Sequence, residues 1–132
     1  MARQHIAVVN DDTVFLQLMD DLLSGEGYAT TIMKISTEAF ERIKELQPSL
    51  IVLDIWTQKA DIGWEVLNLV RLDPATANIP VIVSSTDIRD LEAKEPLLRS
   101  LNCDILPKPF NLEILLDKVN EAIGPPESPL SS

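Results

Sequence analysis

Short apolar runs alternate with helix-like apolar repeats five times along the chain. The runs are rich in β-branched residues and almost uninterrupted, which is typical of strands buried on both faces of a sheet. The segments between them repeat apolar residues every three or four positions, the spacing of one helix face. The pattern predicts strands at 6–9, 28–35, 50–53, 79–83 and 105–106, each followed by a helix, near 14–25, 36–47, 64–72, 89–101 and 112–123.

This alternation favours an α/β fold in which a parallel sheet is covered by helices on both faces. Because the connections between parallel strands are right-handed, only a few sheet topologies are open to five such strand–helix units. We expect the flavodoxin-like (βα)5 arrangement, a doubly wound parallel sheet with strand order 2-1-3-4-5. Strands 1 and 3 then flank the point at which the winding reverses, and ligand chemistry is expected at their carboxyl ends.

Single residues add detail to this pattern. Ser36 and Asn111 precede predicted helices and are expected to cap them. Cys103 is expected to be a small buried filler, and His5 a surface residue without a partner. In the first helix, the positions expected to face the core are Val14, Phe15, Leu18, Met19, Leu22 and Leu23.

Length and charge limit the class of protein. The chain has 132 residues, enough for one hydrophobic core, and we expect one domain over 1–124, then a disordered tail or the start of a linker at 125–132. The net charge of −10 argues against direct binding to nucleic acid. No run of about 18 apolar residues is present to enter a membrane. Together with the single cysteine and the lack of a signal-peptide pattern, this leads us to expect a cytoplasmic protein.

Polar residues stand directly after four of the predicted strands. Asn-Asp-Asp at 10–12 follows the first strand, and Asp54 ends the third. Hydroxyl residues at 84–86 follow the fourth strand, and Lys108 follows the fifth. Because the carboxyl ends of parallel strands meet at one edge of the sheet, we expect these groups to converge there.

Such a cluster predicts phosphoryl-transfer chemistry. Neighbouring carboxylates repel each other unless a cation neutralises them, and oxygen ligands suit Mg²⁺ or Mn²⁺. Asp54 would attack a phosphoryl donor, and Asp11 would bind the metal. Lys108 would pair with one phosphoryl oxygen, and the Ser85 hydroxyl would donate a hydrogen bond to another. Taken alone, Asp11 and Asp12 could instead cap the helix that follows.

The same residues resemble a known family. The pieces that match, in the family's order and spacing, are Val8-Val9-Asn10-Asp11-Asp12, Leu53-Asp54-Ile55, Gly63-Trp64-Glu65-Val66, Asp73-Pro74-Ala75-Thr76, Ile79-Pro80-Val81-Ile82 and Lys108-Pro109-Phe110. Over about residues 5–123 the chain is similar to the receiver domain of two-component response regulators, the CheY-like superfamily.

The resemblance implies a role for each residue that would handle a phosphoryl group. Asp54 corresponds to the phosphoacceptor, Ser85 to the switch hydroxyl and Lys108 to the active-site lysine. The peptide bond between Lys108 and Pro109 would be cis. The free-energy cost of a cis bond is small only before proline. Such a domain is not an enzyme, apart from self-catalysed phosphoryl transfer and autodephosphorylation.

The resemblance also implies a divalent cation, Mg²⁺ or Mn²⁺. Asp11 and Asp54 would bind it through their carboxylates, and Trp56 through its main-chain carbonyl. The family usually has an acid where this chain has Asn10, so a contact through water is expected from either Asn10 or Asp12. Because an amide adds no charge, we expect weaker metal binding but not its loss.

By resemblance, the phosphoryl donor would be a phosphohistidine on a sensor histidine kinase or a histidine phosphotransfer protein. The added charge would bias a two-state equilibrium and change the face formed by the fourth helix, the fifth strand and the fifth helix. That face would bind a downstream protein, and a homodimer through it is left open.

Departures from the family pattern motivate a second hypothesis, a degenerate receiver that binds partners without phosphorylation. Asn10 replaces an acid, and the loop after Asp54 is one residue longer and lacks the usual proline. Ile105, or a deletion around 102–104, stands where the family has a switch aromatic. Unrelated enzymes of similar fold are disfavoured. A haloacid-dehalogenase-like phosphatase needs a second Asp at the position of Trp56. A dinucleotide-binding enzyme needs the motif G-x-G-x-x-G, which this sequence lacks.

Overall fold

The computed structural model describes residues 4–55, 62–108 and 110–124. Five parallel strands form one sheet in the order β2-β1-β3-β4-β5, which confirms the flavodoxin-like (βα)5 fold. The strands are β1 His5–Asn10, β2 Ala29–Lys34, β3 Leu50–Asp54, β4 Val81–Ser85 and β5 Cys103–Pro107, and the helices are α1 Thr13–Gly25, α2 Ala39–Leu46, α3 Ile62–Leu72, α4 Ile88–Ser100 and α5 Leu112–Ile123.

Two hydrophobic clusters cover the two faces of the sheet. One packs under α2, α3 and α4, and the other under α1 and α5. Successive strand residues enter opposite clusters, as Val8 and Val9 of β1 do, because side chains alternate along a strand. The central strands β1, β3 and β4 are therefore mostly apolar, and the polar residues of β3 and β4 lie at their carboxyl ends. None of the described helices has the length and apolarity needed to cross a bilayer.

The buried face of α1 differs from the expected one. Leu16, Met19 and Leu23 are buried, whereas Val14 and Leu18 are 78% and 51% exposed. Apolar residues of α1 form two neighbouring stripes with helical spacing, and periodicity alone does not say which of the two meets the sheet. The prediction was therefore wrong for Val14 and Leu18, and it missed Leu16.

The start of α2 also differs from the expected one. Glu38 occupies the N-cap position and makes no side-chain capping bond. The Oγ of Ser36 accepts a hydrogen bond from the main-chain N–H of Glu38 at 3.2 Å, so Ser36 stabilises the turn before the helix. Asn111, by contrast, caps α5 as predicted, because its Oδ1 accepts from the N–H of Ile114 at 2.8 Å.

Arg71, near the end of α3, joins two connections at the amino ends of β4 and β5. Its guanidinium donates to the carbonyl oxygens of Ala77 and Ile79, at 3.2 and 2.7 Å, just before β4. It also donates to the carbonyls of Leu101 and Asn102, in the turn before β5. The α3–β4 and α4–β5 connections are thus held together by one side chain.

The helix α4 has fewer buried residues than α3. Leu91 and Leu98 are its buried residues, and Pro96 lies inside it. Asp87 caps its start by accepting from the N–H of Asp90 at 3.1 Å. A proline cannot donate the hydrogen bond that a helical residue makes to the carbonyl four positions earlier, so α4 lacks one bond near its middle.

Candidate functional site

Asp54 and Lys108 form an ion pair at the carboxyl edge of the sheet. Lys108 Nζ lies 3.0 Å from Asp54 Oδ2, and the two side chains are 15% and 10% exposed. The main-chain N–H of Lys108 donates to the carbonyl of Ser85 at 2.9 Å, which fixes it beside the end of β4. The lysine therefore reaches across β4 to the end of β3, as the strand order predicts.

The three polar residues after β1 occupy different environments. Asn10 is buried, and its Oδ1 accepts from the N–H of Asp12 at 3.0 Å. Asp12 caps α1, because its Oδ1 accepts from the N–H groups of Val14 and Phe15 at 2.9 and 3.3 Å. Asp11 is partly buried between them. Of the roles that the sequence left open for this acidic pair, capping belongs to Asp12.

The two serines that end β4 are both buried, but their hydroxyls have different partners. Ser84 lies opposite Asp54 in the register, and its Oγ donates to the carbonyl of Leu106 at 3.1 Å. The Oγ of Ser85 accepts from the N–H of Asp87 at 3.0 Å. That bond uses a lone pair of the Ser85 oxygen and leaves its proton available to donate. Ser84 is thus directed toward β5, and Ser85 toward the loop that leads to α4.

One aromatic ring stands beside the lysine and a second packs against the first, and the sequence reasoning did not connect either ring with the site. Lys108 Nζ lies 4.2 Å from the centroid of the Phe15 ring. The rings of Phe15 and Phe110 meet edge to face, with centroids 6.2 Å apart. Helical periodicity predicts only that Phe15 packs inward. It cannot reveal contacts with residues that follow β5, because these depend on the sheet order.

An apolar groove of about 360 Å³ adjoins the ion pair between α1 and the start of α5. Lys108 forms part of its wall, so the groove opens onto the site. Its other lining residues are Phe15, Leu18, Met19, Leu22, Thr86, Phe110 and Leu112.

The chemistry of the strand ends fits a hard divalent cation. β1 and β3 pair as far as Val9 and Leu53, so Asp11 and Asp54 follow at neighbouring strand ends, and their carboxylates are suitable ligands for Mg²⁺. Within 4–55, 62–108 and 110–124, no group of three His, Cys, Asp or Glu side chains is placed to hold a metal. The third expected ligand, the carbonyl of Trp56, lies outside the described residues, as does Pro109 with the bond predicted to be cis.

A comparison with protein families shows that residues 6–120 of the chain match the family model of the response regulator receiver domain. This chain belongs to the response regulator receiver domain family. Receiver domains of this family are parts of two-component signalling systems and are generally not enzymes.

Individual relatives agree with this assignment. The DNA-binding response regulator MtrA of Mycolicibacterium paratuberculosis is 29% identical over 119 residues, which are 89% of this chain and 50% of MtrA. The chain thus spans about half the length of that relative. The polar-differentiation response regulator DivK of Brucella ovis is 25% identical over 120 residues, 90% of this chain and 95% of DivK.

A solved receiver domain has the same fold. It belongs to the sensor histidine kinase PA1611 of Pseudomonas aeruginosa, and its structure is described with a magnesium ion coordinated in the active site cleft. The two share 22% sequence identity with a TM-score of 0.78, over 93% of this chain and 99% of that one.

Asp104 links the three elements of the receiver's α4–β5–α5 face. Its Oδ1 lies 3.2 Å from Arg99 Nη2 of α4 and 3.1 Å from Lys118 Nζ of α5. The next residue, Ile105, is buried in the cluster under α4. Ile105, one of the two places that the sequence left open for the family's switch aromatic, is therefore a packed aliphatic side chain.

Two residues away from the site complete the comparison with the sequence. Cys103 is buried as expected, and burial raises the pKa of its thiol. His5, expected to be without a partner, is half-buried, and its Nε2 lies 2.7 Å from Thr31 Oγ1. Desolvation lowers the pKa of this imidazole. The partner was missed because it lies on β2, which pairs with β1 in parallel.

Proposed function

We propose that this receiver domain accepts a phosphoryl group on Asp54 from a phosphohistidine donor, in a reaction that depends on Mg²⁺ or Mn²⁺. The ion pair between Asp54 and Lys108 carries the proposal. A carboxylate paired with an ammonium at a strand end is a suitable nucleophile. The ammonium stands 3.0 Å from it, where a phosphoryl group on that carboxylate would bring new negative charge.

In the proposed reaction, an Asp54 oxygen attacks the phosphorus of the phosphohistidine. The new O–P bond forms as the P–N bond breaks, and the imidazole leaves with the electron pair of that bond. Lys108 then pairs with a phosphoryl oxygen, and Ser85 donates its hydroxyl proton to another. A cation bound by Asp11, Asp54 and the carbonyl of Trp56 would neutralise charge on the phosphoryl oxygens.

The bonds of Ser85 supply a route from the phosphoryl group to the surface. Its Oγ accepts the N–H of Asp87, and Asp87 caps α4. When Ser85 turns to donate to a phosphoryl oxygen, its bond to Asp87 is altered, and the first turn of α4 is free to shift. The α4–β5–α5 face then changes shape and binds a downstream protein in a phosphorylation-dependent manner.

The apolar groove beside Lys108 is a suitable binding site for the protein that carries the phosphohistidine. A helix that carries a phosphohistidine can pack an apolar side chain against Leu18 and Leu112 while its imidazole faces Asp54. Leu18→Asp would then slow transfer from a phosphorylated histidine kinase but leave phosphorylation by acetyl phosphate unchanged. Equal slowing with both donors would contradict docking in this groove.

The experiment that tests the proposed function is intact-protein mass spectrometry after incubation with acetyl phosphate and Mg²⁺. The expected result is a mass gain of one phosphoryl group that is lost in Asp54→Asn. Asp117→Asn is the control, because Asp117 is an exposed acid of α5 with no assigned part in the site; it should still be phosphorylated. No mass gain in the wild type, or a gain that persists in Asp54→Asn, would refute the proposal.

The environment of Asn10 favours a second candidate, a degenerate receiver that binds partners without phosphorylation. Asn10 is an amide and its Oδ1 is already hydrogen-bonded to the backbone of Asp12, so the site has less negative charge with which to attract a cation. Tryptophan fluorescence during a Mg²⁺ titration separates the two candidates. A saturable change that is lost in Asp54→Asn supports the phosphoacceptor, and no response together with no mass gain supports the degenerate module.

A further inference from the structure

The ammonium of Lys108 lies between a carboxylate and an aromatic face. On one side, Asp54 Oδ2 is 3.0 Å from Nζ. On the other, the centroid of the Phe15 ring is 4.2 Å away, well within the range of about 6 Å over which a ring attracts a cation. The lysine side chain is 15% exposed, so water competes weakly with these two partners.

We propose that Phe15 is a positioning residue for phosphoryl transfer, and that its ring face holds the Lys108 ammonium over Asp54 by a cation–π interaction. This inference rests on the proposed role of Lys108 at the phosphoryl group. A lysine has a flexible four-carbon stem, and its main-chain anchor to Ser85 fixes only the start of that stem. A second contact at the far end restricts the ammonium to the side of the site where the phosphoryl group forms.

The ring is itself held from two directions. The main-chain N–H of Phe15 donates to the capping carboxylate of Asp12 at 3.3 Å, which ties this position of α1 to the end of β1. The ring of Phe110 meets that of Phe15 at an interplanar angle of 88°, a favoured arrangement of aromatic pairs. The end of β1, the start of α1 and the segment after β5 thus fix one ring, and this ring positions the lysine.

The proposal differs from simple apolar packing in what it requires of the ring. If Phe15 only fills space, any side chain of similar volume will serve. If its electron density attracts the ammonium, a ring of almost the same shape with electron-withdrawing substituents will serve less well. Fluorinated phenylalanines at position 15 make this distinction without opening a cavity.

The first measurement is the proton NMR shift of the Lys108 methylene next to Nζ, in the unphosphorylated protein. A ring face beside the ammonium moves this signal upfield, and Phe15→Leu should remove the upfield shift. Lys108→Arg identifies the signal by its disappearance. An unshifted signal in the wild type would overturn the contact, and this result does not depend on whether the protein can be phosphorylated.

The second measurement is the rate of phosphorylation by acetyl phosphate with Mg²⁺. Replacement of Phe15 by 3,4,5-trifluorophenylalanine should lower the rate about three- to tenfold, and Phe15→Leu by at least as much. Val14→Ala, on the same helix but with a side chain that is 78% exposed, should keep the wild-type rate. A wild-type rate with the trifluorinated ring would overturn the cation–π role.

The two measurements distinguish failure of this inference from failure of the proposed function. A wild-type protein that is never phosphorylated refutes the proposed function, whatever the NMR shift of Lys108. If the protein is phosphorylated on Asp54 but the rate does not depend on the electron density of the ring, the proposed function stands and the positioning role of Phe15 is refuted.

Discussion

Gly63 of α3 packs directly against the main chain of Ile55, the residue after the proposed phosphoacceptor. A Cβ at position 63 would lie 2.8 Å from both the Cα and the carbonyl oxygen of Ile55, and 3.1 Å from the carbonyl oxygen of Asp54. All three are main-chain atoms, which cannot swing aside as a side chain can. Glycine therefore allows α3 to begin this close to the end of β3.

We expect Gly63→Ala to lower the free energy of unfolding by about 1–3 kcal/mol, because the added methyl group must displace β3 or α3. It should also slow phosphorylation of Asp54, since the displaced backbone carries that carboxylate. Urea denaturation and the acetyl phosphate reaction measure the two effects. Gly25→Ala is the control: its Cβ would meet nothing within 4 Å, and alanine favours helix. Equal stability changes at both glycines would contradict the steric argument.

The ion pair between Asp54 and Lys108 predicts a specific pattern in a double-mutant cycle. Lys108→Met leaves a largely buried carboxylate without its cation and should destabilise the fold by about 1–3 kcal/mol. Asp54→Asn combined with Lys108→Met should be less destabilised than Lys108→Met alone, because the carboxylate is then gone. Urea midpoints of the four proteins give the coupling energy. Additive effects would show that the two side chains do not stabilise each other.

Arg71 is expected to contribute to stability and not to phosphoryl transfer. Arg71→Met removes the donors of four carbonyl groups and should cost about 2–4 kcal/mol, since hydrogen bonds from charged groups are strong but not additive. Arg71→Lys should recover only part of this loss because an ammonium lacks the planar fork of donors. Arg42→Met, at an exposed position of α2, should change the urea midpoint little. A full rescue by lysine would contradict this account.

Asp73 should make stability depend on pH in the acid range. The main-chain N–H of Ala75, at 2.9 Å, and the ammonium of Lys44, at 3.0 Å, lower the pKa of its carboxyl group. Since the folded-state pKa lies below the unfolded value of about 3.9, the contribution is present above that pH and is lost as the pH falls through the folded-state pKa. Asp73→Asn should therefore destabilise the protein at pH 7, and its urea midpoint should approach that of the wild type as the pH falls below the unfolded value and through the folded-state pKa. A constant difference across this range would exclude the ionic origin.

The sequence predicted the order of the strands and helices and the parallel sheet, because both follow from the spacing of apolar residues along the chain. That spacing can be read from the sequence alone. The sequence also placed Asp54 and Lys108 at one edge, since strand order and strand ends suffice for that. The failures concern choices between similar local options. The two apolar stripes of α1 are such a case, and Ser36 is another, because a serine near a helix start can form either a cap or the preceding turn.

The contact between Phe15 and Lys108 could not be predicted for a different reason. It joins a helix near the start of the chain to the segment after the last strand, and neither residue has a local signal for the other. Only the packing of α1 and α5 on the same face of the sheet brings them together. The sequence therefore identified the residues with ionic chemistry but not the ring that faces one of them.

Pro96 has a consequence for how α4 can respond. The carbonyl of Glu92 cannot receive a helical hydrogen bond from Pro96, and a helix of 13 residues is only marginally stable by itself in water. The helical state of α4 therefore depends on Leu91 and Leu98 remaining packed on the sheet. We expect that a signal which lifts these two side chains would unwind α4 and not move it as a rigid rod, so that the output would be a change in backbone order.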